Sequence, residues 1–173
     1  MTGDGVLDIV AGTYPANIGG VANVGAIYVW RGGSALNGTQ APLAALTVPG
    51  SIRDDYLCLT SGQGIQLADV TGDHLIDVVA GTEYADVGKE YEVGAIYVWE
   101  GGPSIHGSPS PWSTLRVPGA LRGDRLGRVN TFSYSFWQIH EAIRLGDVTA
   151  DGMLDVVAGA TLAGGYDTGA IYV

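Results

Sequence analysis

An all-β fold, made of short antiparallel strands grouped into repeated four-stranded units, is predicted by three observations. One phrase occurs three times: TGDGVLDIVAGTY from Thr2, TGDHLIDVVAGTEY from Thr71 and TADGMLDVVAGATL from Thr149, each leading into GAIYV at Gly25, Gly94 and Gly169. Glycine supplies 28 of 173 residues without the every-third spacing of collagen, which points to many tight turns. No stretch has helical periodicity. The interval is 69 residues from Asp4 to Asp73 and 78 from Asp73 to Asp151, the size of one four-stranded propeller blade.

Each unit parses into strands from local chemistry. The β-branched runs Leu7 to Ala11, Ile76 to Ala80 and Leu154 to Ala158, each ended by Gly, suit strands buried on both faces. The Ala-Ile-Tyr-Val runs at 26–29, 95–98 and 170–173 follow a Gly that marks a turn. Polar loops such as Tyr84 to Val93 connect the two, with room to bind a partner. Outer strands are expected at Leu43 to Val48 and Ser113 to Val117, closed by Pro-Gly, and inner strands at Gly64 to Ala68 and His140 to Leu145. With strands lettered A to D outward, the chain reads BCD, ABCD, ABC, or about two and a half blades of a β-propeller. The repeats span residues 1–55, 56–124 and 125–173. Propellers close with about 4 to 8 blades, so the expectation is a piece of a longer protein rather than a self-assembling ring. Its open sheet edges would be covered by other blades of the parent protein or by neighbouring chains.

Charge and composition narrow the function. Lys and Arg number 8 against 18 Asp and Glu, and the net charge of −10 opposes binding to nucleic acid or an anionic membrane surface. No apolar run is long enough to span a bilayer, so no membrane insertion is expected, and no leader peptide is visible. The single Cys58 excludes an intrachain disulfide and reads as a small buried hydrophobe. No nucleophile elbow, phosphate-binding loop or Cys/His zinc cluster occurs, and His140-Glu141 lacks the second His of a zinc-protease helix.

The acidic residues are spaced for a hard cation. Asp69, Thr71, Asp73 and Asp77 occupy positions 1, 3, 5 and 9 of a nine-residue loop, and Asp147, Thr149, Asp151 and Asp155 repeat the arrangement. Oxygen donors at alternate positions, completed by the carbonyls of Leu75 and Met153 at position 7, are what Ca²⁺ requires. The first loop keeps Thr2, Asp4, the Val6 carbonyl and Asp8 but lacks an Asp at position 1. Such ions would brace the turns rather than catalyse, because the loops recur in every unit. The chain is therefore expected not to be an enzyme.

The order Gly-Asp-x-hydrophobic-Gly, then the acidic loop, then hydrophobic-Val-x-Gly, then Gly-Ala-x-Tyr-Val resembles the FG-GAP repeat of integrin α-subunit propellers and many bacterial surface proteins. In the third copy it runs from Gly123-Asp124-Arg125-Leu126-Gly127 through Asp147 to Asp155 and on to Val173. The resemblance implies calcium loops joining strands A and B, an extracellular or cell-surface location, and a role in adhesion or assembly with a protein or glycan ligand. Rival readings are a carbohydrate-binding propeller and a non-catalytic propeller attached to a secreted hydrolase. The chain departs from the pattern at position 3, which is Thr in all copies, and at position 6, where His74 replaces Gly. The namesake Phe-Gly becomes Leu126-Gly127 and Leu57-Cys58. Arg122-Gly123-Asp124 is read as part of the repeat rather than as an integrin ligand, and Tyr28, Tyr97, Tyr172, Trp30 and Trp99 as packing between units. An insert at Arg128 to Ile139, with Phe132, Tyr134, Phe136 and Trp137, breaks the period and is a candidate partner contact.

Overall fold

Short β-branched runs separated by glycine turns can satisfy their backbone polar groups only by pairing, and here they pair with their sequence neighbours. The computed structural model describes residues 1–59, 64–128, 142–163 and 169–173. Among these lie strands β1 (Ile9–Thr13), β2 (Ala26–Trp30), β3 (Ala44–Leu46), β4 (Ile65–Ala68), β5 (Asp77–Thr82), β6 (Ala95–Trp99), β7 (Ser113–Leu115), β8 (Ile143–Gly146), β9 (Asp155–Ala160) and β10 (Ala170–Tyr172). They form three antiparallel sheets, ordered β1-β2-β3, β4-β5-β6-β7 and β8-β9-β10. The register repeats between sheets: Ala11 faces Tyr28, Ala80 faces Tyr97, and Ala158 faces Tyr172. The described residues contain no helix, and the fold is all-β.

Strand membership and order agree with the sequence reading, but the second strand of each unit is displaced. It begins at Ile9, Asp77 and Asp155 rather than at Leu7, Ile76 and Leu154. Leu7 is 92% exposed, and Ile76 and Leu154 are also exposed, at 41% and 37%. The preceding loop holds these residues, because the Asp that follows each one turns back onto loop amides. Gly12, Gly81 and Gly159 do not end the strands but lie inside them. At Gly12 and Gly81 the role is spacing, since a Cβ at Gly12 would lie 2.5 Å from Cys58 Sγ and one at Gly81 would lie 3.1 Å from Ile143 Cδ1, whereas a Cβ at Gly159 would meet nothing within 4 Å. The outer strands are shorter than expected, ending at Leu46 and Leu115, and residues 140–141 of the expected inner strand lie outside the described residues.

The central sheet lies between the other two. Alternate residues of β5 and β6 point to opposite faces. Val78, Ala80, Tyr97 and Trp99 join Ile27, Val29, Ala44 and Leu46 of the first sheet in one cluster. Val79, Ile96 and Val98 join Ile143, Ala158 and Ala160 of the third sheet in another. Every residue of β5 and β6 is therefore buried, whereas β1 and β9 are covered on one side and remain partly exposed. Each fully buried Val or Ile in these clusters stabilises by about 1.5–3 kcal/mol relative to exposure. Tyr97 and Trp99 pack between units as expected, with ring centroids 6.0 Å apart.

Backbone bonds join successive sheets. Leu57 N donates to Val24 O of the preceding repeat (2.8 Å), and Cys58 N donates to Gly81 O of its own repeat (3.0 Å). Leu126 N and Gly127 N repeat this with Val93 O and Gly159 O. The approach is close enough that a Cβ on Gly94 would lie 2.4 Å from the Leu126 backbone, and Gly94 also has φ +79°. Gly88, with φ +67°, faces open space. Gly94→Ala is therefore expected to destabilise by roughly 3 kcal/mol or more, against about 1 kcal/mol for Gly88→Ala. Urea midpoints measure both, and equal losses would show that the seam is not tightly packed.

Candidate metal loops

The acidic loops sit at the ends of the sheets where β1, β5 and β9 begin. In the second loop Asp77 is fully buried. Its Oδ2 accepts from Val70 N (2.9 Å) and Thr71 N (3.0 Å), and its Oδ1 accepts from Gly101 N (2.8 Å) beyond the end of β6. Asp69 accepts from Gly72 N (2.7 Å) through Oδ1 and from His74 N (2.8 Å) through Oδ2, and Asp73 Oδ1 accepts from Leu75 N (2.8 Å). Each carboxylate thus organises the turn around itself, as Asp side chains do where the backbone lacks ladder partners.

The third loop reproduces the pattern. Asp147 accepts from Asp151 N and Gly152 N, Asp151 from Met153 N, and Asp155 Oδ2 from Val148 N and Thr149 N. The Thr149 amide, aided by that of Val148, holds the Asp155 carboxyl below its usual range despite some desolvation. In the first loop Asp4 accepts from Val6 N, while Asp8 accepts from Thr2 N (2.8 Å) and Gly32 N (3.1 Å). Burial alone would raise Asp8, but the Thr2 and Gly32 amides outweigh it and hold the carboxyl low. Successive loops nest: a Cβ on Gly3 would lie 3.4 Å from Leu75 Cδ2, and one on Gly72 would lie 2.8 Å from Met153 Cε.

Two turns carry non-glycine residues in the left-handed region. His74 has φ +66° where the other loops have Gly5 (+79°) and Gly152 (+88°), and Ala150 has φ +62° where they have Gly3 and Gly72 (both +81°). The sequence flagged the first of these substitutions but not the second.

Among the described residues, no three carboxylate, histidine or cysteine side chains converge as a ready-made metal cluster. Asp69, Asp73 and Asp77 share a loop, but among the described residues they accept their hydrogen bonds from backbone amides. The donor set nevertheless suits a hard cation. It consists of oxygens alone, and the Thr71 Oγ1 hydroxyl is buried with no hydrogen-bond partner among the described residues. An orphaned buried hydroxyl at position 3 of an acidic loop is a costly arrangement that an oxygen-seeking ion would relieve. No protein-family model matches the chain, and no curated protein matches it.

Several features were not legible in the sequence. The Gly32 and Gly101 amides, held by Asp8 and Asp77, tie each loop to the far end of the neighbouring strand; the recurring Trp-x-Gly-Gly phrase was their only signal. Tyr14, Tyr56 and Tyr84 form a ladder with centroids 6.1 and 5.8 Å apart, capped by the Arg125 guanidinium 4.7 Å from the Tyr84 ring. The loop from Tyr84 to Val93 is closed on itself by reciprocal Val87 and Glu90 backbone bonds, and so is not an open pocket. Asp124 of the Arg-Gly-Asp triplet is buried and accepts from Leu121 N (2.7 Å), a repeat role shared by Asp55 with Ile52 N (2.8 Å). Cys58 packs against the first cluster, and burial pushes its thiol up to about 11. Phe132, Tyr134, Phe136 and Trp137 lie outside the described residues.

Two outcomes follow from this geometry. Ala150→Gly and His74→Gly should each raise stability by about 1 kcal/mol by relieving left-handed strain, and unchanged urea midpoints would exclude that backbone conformation. Asp55 is raised to about 6 by burial, with the charge of Asp86 adding to it. Its folded pKa exceeds the unfolded value near 3.9, so the folded state holds the proton more tightly. Its contribution to stability is greatest below about pH 4 and falls away as pH rises to about 6. The stability of Asp55→Asn relative to wild type should therefore grow between pH 4 and 7, and a pH-independent difference in unfolding midpoints would contradict this.

Proposed function

We propose that this chain is a non-catalytic, calcium-binding segment of an FG-GAP-type β-propeller that acts as an adhesion or assembly scaffold at a cell surface. The three stacked sheets would be successive blades, the central one complete and each flanking one three-stranded. Asp69, Asp73, Asp77, the Thr71 hydroxyl and the Leu75 carbonyl would hold one ion. Asp147, Asp151, Asp155, Thr149 and the Met153 carbonyl would hold a second. The first loop, with Thr2, Asp4, Asp8 and the Val6 carbonyl, would bind more weakly for want of a position-1 carboxylate.

The observation that carries this reading is the buried, unpartnered Thr71 Oγ1 within a loop that otherwise presents carboxylates at fixed spacing. A divalent ion would offset the mutual repulsion of those carboxylates and brace the turn that starts β5. The acidic net charge and the repetition of the loops also favour a structural ion over a catalytic one. At a calcium concentration about a hundred times Kd, the melting temperature should rise by about 5–10 °C over that in excess chelator. Titration calorimetry should find about two tight sites, and Asp69→Asn should leave about one. An identical melting temperature with calcium and with chelator would end the proposal.

A further inference from the structure

Between the second and third sheets lies an open cleft of about 580 Å³, lined by Leu115, Val117, Leu126, Val156, Ala158 and Tyr172 among others. The first and second sheets supply an internal template for what such a cleft accepts. The repeat-equivalent residues Leu46, Val48, Leu57, Val78, Ala80 and Tyr97 all belong to, or pack against, the first hydrophobic cluster. That cluster also contains Trp99 and Ile105, each only 1% exposed. Among the described residues, the cleft is the same surface without an indole and an aliphatic side chain to fill it.

A second observation points the same way. The Asp at position 9 accepts, through one carboxylate oxygen, from the N–H of a glycine two residues beyond the tryptophan in both other repeats: Gly32 N donates to Asp8 Oδ1 (3.1 Å) and Gly101 N to Asp77 Oδ1 (2.8 Å). Asp155 lines the cleft, and among the described residues its Oδ1 meets only the Thr149 hydroxyl, at 3.4 Å. It is an anionic acceptor placed where a backbone N–H arrives in the other two repeats. The template segment is also anchored at its far end, with Gly107 N donating to Leu43 O (2.9 Å) and Ala45 N to Gly107 O (2.7 Å). The equivalent positions beside the cleft are Trp112 and Thr114 of the β7 segment.

We propose that this cleft is a docking site for a polypeptide segment supplied from outside residues 1–173. The segment carries a tryptophan, a glycine two residues later and an aliphatic residue four positions after that glycine. The indole and the aliphatic group fill the cleft, and the glycine N–H donates to Asp155 Oδ1. The buried indole provides most of the binding, and the amide fixes its register. No metal ion is needed for this recognition.

A synthetic peptide spanning Trp99 to Gly107 is the probe, titrated calorimetrically into the 173-residue chain. Saturable one-to-one binding is expected, weakened about tenfold or more when alanine replaces the peptide's tryptophan. Replacing its first glycine by sarcosine, which lacks the N–H, should weaken binding about tenfold. Leu115→Trp, which fills the cleft from within, should abolish binding while the chain keeps its β-sheet circular dichroism. Absence of binding at millimolar peptide, or equal binding of the alanine peptide, would overturn the site. Equal binding of the sarcosine peptide would overturn the role of Asp155.

Discussion

One buried carboxylate holds the central unit together. Asp77 is fully removed from solvent and accepts N–H bonds from Val70, Thr71 and Gly101. These bonds tie the acidic turn, the start of β5 and the exit from β6 to one side chain. A charge buried this completely is tolerable only when its lone pairs are met by well-placed donors, so the turn and the two strands must take up their positions together. Asp8 makes the corresponding bonds in the first repeat, and Asp155 makes the loop half of them in the third.

The stacking of the sheets follows from that anchor. Once β5 and β6 are aligned, their alternating side chains present two apolar faces, and the flanking sheets cover both. The seam between sheets is set by backbone contact as much as by side chains. Gly25 and Gly94 allow the Leu57 and Leu126 backbones to approach, and Gly12 and Gly81 make room for Cys58 and Ile143. Glycine abundance in this chain therefore reflects close approach between sheets as well as turns.

Much of this was legible in the sequence because a repeat supplies its own controls. The grouping of strands as three, four and three, and their order within each sheet, could be read from the recurrence of Asp-(Ile/Val)-Val-Ala-Gly and Ala-Ile-Tyr-Val. The strand start was misplaced because Leu7, Ile76 and Leu154 are apolar yet exposed, and apolarity alone cannot tell a loop residue from a strand residue. The internal glycines were read as terminators because their role depends on the neighbouring sheet, which local pattern does not contain. The loop carboxylates were identified individually, but their engagement with backbone amides, and the long reach from Asp77 to Gly101, depend on a chain path that spacing does not encode. The tyrosine ladder has no signature in local sequence, because Tyr56 comes from a different part of the repeat than Tyr14 and Tyr84.

Native-state hydrogen exchange, resolved by residue, tests the role of Asp77 most directly. If its carboxylate anchors the unit, the amides of Val70, Thr71 and Gly101 should exchange only with the global opening that releases Val79 and Val98 in the central sheet. Exchange of those three amides at rates typical of free loops, while Val79 and Val98 stay protected, would contradict the account.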